Sequence, residues 1–273
     1  MAMSWPATIF VGLILGLGAT AWTGANETRS ESSQTVETES DSSQTVETES
    51  GSSQTETRTS DTDESGSTTE TTQTQTIEIN SDGEKVVVLT FDDGPNPTFT
   101  PQILDILAEH DTHAVFCVIG EQVPEQPDLV RRADEDGHLL CNHTFTHDMQ
   151  LADRTDAQIT QELSSTLDAI EAAGVDADVP FVREPGGFVS PNVAAVAAEL
   201  NMAPLNWTID PRDWSRPGTD AIVTAVLDQL EPGGIILLND GGGDRSQTVA
   251  ALEPILEGIA DAGYRVVLPD GTS

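Results

Sequence analysis

Lysine is almost absent from this chain: Lys85 is the only one among 273 residues. The 11 basic side chains face 47 acidic ones, which leaves a formal net charge of −36. A chain this acidic repels nucleic acid and anionic membrane surfaces, so both are excluded as partners. A dense carboxylate surface with so little lysine favours a halophilic protein, in which salt screens the self-repulsion. An ordinary acidic secreted protein is the alternative, but it does not explain the shortage of lysine.

Apolar side chains are nearly missing from residues 26–80, which consist mainly of Ser, Thr, Glu and Gln. A decapeptide at residues 30–39 recurs at 40–49 with one change, Asp41 in place of Glu31, and a degraded third copy starts at Ser50. Such a segment cannot bury enough apolar surface to offset its chain entropy, which predicts a disordered stalk. The stalk holds 13 acidic and 2 basic side chains, so the rest of the chain has a net charge of −25.

Charged side chains are missing altogether from residues 1–25, where an apolar stretch runs from Ala7 to Trp22. A secretory signal fits this stretch, although no basic residue precedes it. An uncleaved membrane anchor is the alternative, and the stretch is short for a full span. We therefore expect a secreted or cell-surface protein, with membrane contact only through this segment if it is retained. The predicted organisation is a signal or anchor (1–25), the stalk (26–80) and a globular domain (81–273).

Cysteine is scarce, with one residue at Cys117 and one at Cys141, and both fall in segments that resemble buried strands. Export would permit these two residues to form a disulfide. Buried strand cysteines are, however, often small apolar side chains that fill space, and we favour this interpretation.

Short apolar runs alternate with amphipathic stretches from Val86 onward. Strands are predicted at Val86–Phe91, Ala114–Ile119, His138–Asn142, Phe181–Arg183, Ala203–Thr208, Gly234–Leu238 and Arg265–Leu268. Helices are predicted at Pro101–Glu109, Asp128–Glu135, Asp156–Ala172, Val193–Leu200, Asp220–Leu230 and Thr248–Ala262. This alternation implies an α/β fold with a parallel sheet. Polar motifs follow most of these strands, and only a closed (β/α) barrel of about seven parallel strands brings so many strand ends to one rim.

Two adjacent carboxylates, Asp92 and Asp93, follow the apolar run Val86–Leu89, and two imidazoles, His143 and His147, come later in the chain. One carboxylate and two imidazoles form a facial set for a divalent metal and leave positions open for water and substrate. The second carboxylate is then free to act as a base on that water. A simple turn at Asp93 would explain the carboxylates but not the histidines. The combination predicts a hydrolase.

Five motifs together resemble those of the polysaccharide deacetylase family, which is carbohydrate esterase family four. They are Thr90–Pro95, His143–His147, Arg183–Gly187, Asp210–Trp214 and Leu237–Asp240. The resemblance covers residues 86–268 and implies a distorted (β/α) barrel that removes acetyl groups from polysaccharides. It implies a metal site at Asp93, His143 and His147, with Zn²⁺ as the default ion and Co²⁺ or Ni²⁺ also compatible with these ligands.

The resemblance also assigns roles around this site. Asp92 matches the general base, and Arg183 matches the arginine that orients the base and holds it ionised. Gly186 stands where many relatives have tyrosine, so it keeps the backbone N–H for the oxyanion but implies a more open sugar site. Trp214 and Leu237 match the lining of the acetyl pocket, although a tryptophan beside a proline motif is equally a core anchor.

One catalytic position departs from the family pattern. Asn239 stands where relatives have the histidine that protonates the leaving group, and an amide cannot donate a proton in that way. Asp210 matches the aspartate that tunes this histidine, so it is left without an imidazole partner. We therefore expect weak or absent cleavage of amide-linked acetyl groups, with residual activity on esters, because an alkoxide is the better leaving group.

The sequence thus predicts a metal-dependent enzyme that removes N- or O-linked acetyl groups from an extracellular polysaccharide, such as a chitin-like glycan or acetylated xylan. The retained base at Asp92 favours this prediction, because a protein that only binds sugar does not need the base. The alternative is a catalytically impaired carbohydrate-binding relative displayed at the cell surface, which Asn239 favours.

Overall fold

The computed structural model describes residues 84–269, so the predicted signal or anchor (1–25) and stalk (26–80) lie outside the described residues. The strands are β1 (Val86–Gly94), β2 (Val115–Val118), β3 (Leu139–Asn142), β4 (Phe181–Val182), β5 (Ala203–Pro204), β6 (Gly234–Asn239) and β7 (Arg265–Val266). The helices are α1 (Thr100–Glu109), α2 (Pro127–Glu135), α3 (Asp156–Ala172), α4 (Pro191–Glu199), α5 (Thr219–Leu227) and α6 (Ser246–Asp261). Each predicted strand and helix is present. α3 has the predicted bounds, and each of the other elements has at least one displaced end. Within residues 84–269, no helix combines the length and hydropathy needed to cross a membrane.

All strand pairs are parallel, and the strand order is β5-β4-β3-β2-β1-β6, with β7 paired to the start of β1. The chain that follows β5 returns to the far edge of this sheet. There, Ile209 forms an isolated parallel bridge with Ile236 in β6. Its N–H donates to the carbonyl of Ile235 (3.0 Å), and its carbonyl accepts from Leu237 (2.9 Å). This bridge closes the sheet into the predicted distorted barrel. β5 is shorter than predicted because the chain leaves β4 early to reach β6.

The strands separate two apolar regions by simple alternation. In β1, Val87, Leu89 and Phe91 face the layer of surrounding helices, where they pack in one large buried cluster. Val88 points the other way and packs inside the barrel with apolar side chains of β2, β3, β4 and β6. Since side chains alternate along a strand, Asp92 continues the inward row and reaches the rim at the C-terminal end.

The interior of the barrel contains a disulfide that joins Cys117 in β2 to Cys141 in β3. The interpretation of these residues as unpaired apolar fillers is therefore wrong. The two cysteines are register partners on adjacent parallel strands. Both are fully buried in the interior cluster, so their side chains project from the same face of the sheet and the sulfur atoms meet.

Candidate metal centre and active site

The rim of the barrel brings three potential metal ligands together. Oδ1 of Asp93 in β1 lies 3.4 Å from Nε2 of His143 and 3.3 Å from Nε2 of His147. All three ligand atoms lie within 4.8 Å of one another. One carboxylate and two imidazoles in this arrangement fit a divalent ion such as zinc. The structure thus assembles the three residues that the sequence proposed as ligands.

The backbone at these ligands adopts a conformation that L-residues rarely take. The φ angle is 71° at Asp93 and 57° at His147. Such left-handed residues cost roughly 1–2 kcal/mol each. Glu162 on α3 holds the histidine loop in place, because its carboxylate accepts the backbone N–H groups of Phe145 (3.0 Å) and Thr146 (2.8 Å). Sequence reasoning did not identify Glu162.

The orientation of His143 is fixed through its second ring nitrogen. Nδ1 lies 2.8 Å from the carbonyl oxygen of Arg183. An N–H at Nδ1 that donates to this carbonyl leaves the Nε2 lone pair directed at the ligand set. The buried ring is therefore prepared for a metal ion by a contact that the chain itself provides.

The protonation of the three ligands follows from their mutual contacts. Burial lowers the pKa of His143, but the carboxylates of Asp92 and Asp93 outweigh burial and raise the pKa above its ordinary value. Burial raises the pKa of Asp93, yet the hydrogen bond and charge of His143 bring it below its ordinary value. Burial and the neighbouring His143 lower the pKa of His147. A proton on His143 and a cation at the ligand set would therefore compete.

Glycines after β6 allow the chain to approach the far side of Asp93. A Cβ on Gly242 would lie 2.3 Å from Oδ2 of Asp93, and one on Gly241 would lie 1.8 Å from its carbonyl oxygen. Buried Arg245 keeps this loop in place by donating to the carbonyl groups of Gly241 (2.6 Å) and Gly242 (3.0 Å). Sequence reasoning missed this support, although the run of three glycines directly after Asp240 was a visible signal of close backbone approach.

The second carboxylate, Asp92, is held by a buried arginine. Nη1 of Arg183 donates to Oδ1 of Asp92 (2.6 Å) and to the hydroxyl of Thr90 (2.8 Å). Nε of Arg183 donates to the carbonyl of Leu205 (2.8 Å), which fixes the guanidinium from the opposite side. Oδ2 of Asp92 lies 3.8 Å from Nε2 of His143. One oxygen is thus anchored while the other faces the metal ligands, as the predicted role of a base requires.

Asn239, at the end of β6, is bound to Asp213 and not to Asp210. Nδ2 of Asn239 donates to Oδ1 of Asp213 (2.7 Å), and its backbone N–H donates to Oδ2 (2.9 Å). The hydroxyl of Thr248 also donates to Oδ2 (2.7 Å). Burial raises the pKa of Asp213, although these hydrogen bonds act to lower it.

The prediction for Asp210 is therefore corrected. Its Oδ1 accepts the backbone N–H of Arg212 (2.7 Å), which is a local turn contact. The chain then passes through left-handed residues at Arg212 and Arg216, and a short 3₁₀ helix between them buries Asp213. The motif offers two aspartates three residues apart, and the sequence alone did not show which one turns inward.

A further buried carboxylate, Asp240, points to the other side of β6. It accepts a hydrogen bond from the hydroxyl of Thr100 on α1 and packs against Gly94. Burial raises the pKa of Asp240 to about 7, and the charges of Asp93 and Asp92 add to this effect. Asp240 thus packs behind the turn that follows Asp92 and Asp93.

The space beside Gly186 is filled and not open. Gly186 has φ 79°, and a Cβ there would lie 2.8 Å from Cε of Met149 and 2.9 Å from the ring of Phe188. The expectation of a more open sugar site next to Gly186 therefore does not hold. Two apolar side chains from other positions occupy the space that a side chain at 186 would need.

The remaining predicted positions lie on the same rim. Leu237 is buried in β6 and is the register partner of Thr90 in β1. Trp214 is 47% exposed, and the guanidinium of Arg212 lies 5.1 Å from its ring centroid. Trp214 is therefore not a core anchor, and the alternative of a solvent-facing position on the rim fits its exposure.

Comparisons with known proteins agree with this geometry. The sequence profile of the polysaccharide deacetylase family matches residues 79–205. The chain is 43% identical over 201 residues to a chitooligosaccharide deacetylase of Sinorhizobium fredii, covering 70% of this chain and 93% of that protein. It is 40% identical over 187 residues to a peptidoglycan-N-acetylglucosamine deacetylase of Bacillus cereus, covering 67% of this chain and 86% of that protein.

The solved structures add a contrast. A CE4 family pseudoenzyme from Bacillus anthracis superposes with a TM-score of 0.66 at 28% identity, covering 71% of this chain and 67% of that chain. A mutant of that pseudoenzyme with restored enzymatic activity gives the same TM-score. Similarity of fold therefore extends to active and inactive proteins alike. The sequence identity to the curated deacetylases, over most of their length, shows that this chain belongs to the polysaccharide deacetylase family, carbohydrate esterase family four.

Proposed function

We propose that this protein is a metal-dependent hydrolase that removes acetyl groups from an extracellular polysaccharide. The observation that carries the proposal is the second carboxylate. Arg183 anchors one oxygen of Asp92, and the other oxygen lies 3.8 Å from Nε2 of His143, beside the three metal ligands. A site that only stored a metal would have no use for a buried, oriented base.

The chemistry divides between the ligands and the base. Asp93, His143 and His147 would hold a divalent ion, with zinc as the default, and this ion would supply the Lewis acidity that lets a carboxylate deprotonate water. Oδ2 of Asp92 accepts the proton of the water that attacks the acetyl carbonyl carbon. Arg183 orients Asp92 for this step through a charge-assisted hydrogen bond to Oδ1. The backbone N–H of Gly186 is proposed to donate to the developing oxyanion.

Substrate preference follows from the departing group. The curated relatives are named for chitooligosaccharide and peptidoglycan N-acetylglucosamine, whose acetyl groups are amide-linked. An amine must be protonated as it leaves, and Asn239 has no proton to give. We therefore propose a preference for ester-linked acetyl groups, as in acetylated xylan, over N-acetyl groups. The net charge of −25 outside the stalk favours a neutral glycan over an anionic one.

Asn239 also favours a second candidate function. A relative that binds acetylated glycan without cleaving it would retain the fold and lose the proton donor. The similarity to a CE4 family pseudoenzyme makes this candidate concrete. For either function we propose export, with the stalk (26–80) holding the domain (81–273) at the cell surface when residues 1–25 are retained.

The deciding experiment is acetate release from a panel of N- and O-acetylated glycans. The assay contains zinc and molar sodium chloride, and its controls are removal of metal by chelation and the variant Asp92→Asn. We expect release from O-acetylated glycans that both controls abolish. Glycan binding without acetate release from any member of the panel would support the second candidate and contradict the first.

A further inference from the structure

Exposed apolar side chains are concentrated on the catalytic rim. Within residues 84–269, three large apolar side chains are exposed: Met149 (53%), Phe188 (54%) and Trp214 (47%). Each belongs to a loop that follows the C-terminal end of a strand, namely β3, β4 and β5. Single exposed apolar residues scattered over a surface need no explanation. Three on successive loops at one rim, and none elsewhere in the described chain, indicate a surface that contacts a ligand.

Met149 and Phe188 form one continuous feature. The Met149 methyl group and the Phe188 ring both lie within 3 Å of the point where a Cβ on Gly186 would stand. The two side chains thus border the same point beside the backbone of Gly186. Each of them is more than half exposed. We call Met149 and Phe188 the apolar platform.

The loop that carries Phe188 is held firmly. Buried Glu184 accepts the backbone N–H and the hydroxyl of Ser190, both at 2.9 Å. These two hydrogen bonds close the loop on either side of Phe188. The carbonyl of Gly187 also accepts from the amide of Asn206 (3.3 Å). The ring is therefore presented by a short, anchored loop and not by a free segment.

The loop that carries Met149 is anchored as well. Asp148 accepts the backbone N–H of Gln150 (2.9 Å) and the guanidinium of Arg154 (2.6 Å). The amide of Asn192, at the start of α4, donates to the carbonyl of Ala152 (2.9 Å). This contact joins the Met149 loop to the helix that follows the Phe188 loop, so both halves of the platform are fixed relative to each other.

We propose that the apolar platform stacks against a pyranose ring next to the sugar that is deacetylated. A pyranose presents axial C–H groups on its face, and an exposed aromatic ring with an adjacent thioether offers a matching apolar surface. The platform stands beside Gly186. Phe188 comes five residues after Arg183 on one loop, and Met149 comes two residues after His147 on the other. The substrate is then a neutral oligosaccharide of at least two units, because one unit occupies the metal site and the next covers the platform.

A protein partner fits this surface less well. Specific protein–protein interfaces bury at least about 1,000 Å² in total. Two side chains around one glycine provide a patch of the size of a single sugar ring. The platform lies beside the three candidate metal ligands, and a protein docked on it would cover that site. This position therefore also favours a glycan over a protein as the ligand.

The inference rests on the proposed function only for the identity of the ligand, and its test separates binding from turnover. Phe188→Ala removes the ring, Phe188→Trp retains an aromatic face, and Met149→Leu retains apolar bulk. Titration calorimetry with neutral acetylated oligosaccharides of increasing length gives Kd, and acetate release gives kcat/KM. Thermal melts confirm that each variant is folded, as expected for half-exposed positions.

We expect the wild-type protein and Phe188→Trp to bind oligomers more tightly than the acetylated monosaccharide. Phe188→Ala should weaken oligomer binding about tenfold, a change that corresponds to about 1.4 kcal/mol. The loss should appear in KM and not in kcat. Equal Kd values for the wild-type protein and Phe188→Ala, or equal losses for the monosaccharide and the oligomers, would overturn the platform. Oligomer binding that depends on Phe188 without any acetate release would instead contradict the hydrolase and support the platform.

Discussion

Replacement of Asn239 by histidine restores a proton donor to the position where the structure has prepared its support. Asp213 already binds the side chain and the backbone N–H of residue 239, at 2.7 and 2.9 Å. An imidazole there would donate from Nδ1 to Oδ1 of Asp213 and present Nε2 to the leaving group. Thr248 keeps the other carboxylate oxygen in place. The substitution therefore adds the acid without the need to build its partner.

The expected gain depends on the bond that is cleaved. General acid catalysis contributes typically ~10²–10⁴-fold. Amide cleavage expels an amine that must be protonated, so Asn239→His should raise kcat/KM on N-acetylated oligomers by about 10²-fold or more. Ester cleavage expels a better leaving group, so the same substitution should change O-acetyl release by less. The ratio of the two gains is the informative quantity, because errors in enzyme concentration cancel.

The assay follows acetate release from both substrate types between pH 5 and 9. The acid works only while the imidazole is protonated, and Asp213 should raise the pKa of that imidazole. The gain is therefore present at low pH and disappears as pH rises through that pKa. Asp213→Asn in the Asn239→His background should remove the gain. Asp210→Asn in the same background is the matched control and should retain it.

Two results would refute this reasoning. The first is robust activity of the wild-type protein on N-acetylated oligomers that Asn239→His does not improve, which would require another proton donor. The second is a gain that depends on Asp210 and survives Asp213→Asn, which would contradict the hydrogen bonds seen at the rim.

Three further predictions address the metal, the acidic surface and a buried carboxylate. About one zinc ion per chain should bind at Asp93, His143 and His147, because each supplies one ligand; zinc content should fall sharply in His143→Ala and His147→Ala, and unchanged content in both would contradict the site. The melting temperature should rise steeply with sodium chloride, because salt screens the excess of negative charge; a melting temperature independent of salt would give the acidity another cause. Asp240→Asn should stabilise the metal-free protein at pH 8–9 and not below pH 4. The pKa of Asp240 is about 7 in place of 3.8, so the native state binds the extra proton between these values and the wild type loses stability as pH rises through them. The difference should reach roughly 4 kcal/mol, as measured by urea unfolding in chelator across this pH range. A difference that does not vary with pH would contradict the raised pKa.

Much of the fold could be predicted because periodicity and strand order constrain each other. Alternating apolar runs and amphipathic stretches located every strand and helix, and the placement of polar motifs after the strands selected a closed barrel. The exact ends of the strands and helices were harder to predict. β1 continues through Asp92 and Asp93 to Gly94, because β6 pairs with it as far as Asp92 and β2 as far as Gly94. β5 ends at Pro204, because the chain crosses to β6 through Ile209.

The positions of site residues were predictable where a residue follows its strand directly. They were less predictable where the conformation of a loop determines which way the side chain points. Asp93 lies near the end of β1 and His143 directly follows β3, so their convergence follows from the parallel topology. His147 lies five residues beyond β3, and the spacing of the two histidines located it. Asp213 lies beyond a left-handed turn at Arg212, and a sequence pattern does not fix that turn.

The disulfide between Cys117 and Cys141 was also difficult to predict. The position of Cys117 and Cys141 in strands was predicted, but their pairing depends on register. β2 and β3 are parallel neighbours, and a shift by one residue would turn one of the two side chains to the opposite face. The register that the structure adopts places Cys117 opposite Cys141, which permits the bond.

The two candidate functions differ in whether they need the energetically costly groups at the rim of the barrel. Arg183 and Asp92 form a buried ion pair, with side chains that are 1% and 6% exposed. Replacement of such a pair by packed apolar residues is often neutral or stabilises a protein by ~1–4 kcal/mol. The left-handed backbone at Asp93 and His147 adds a further roughly 1–2 kcal/mol for each residue. A protein that only binds glycan gains nothing from an oriented base or from strained ligands, whereas a hydrolase needs both. The retained ion pair between Arg183 and Asp92 therefore favours catalysis. Asn239 is then the one position that argues for impaired activity.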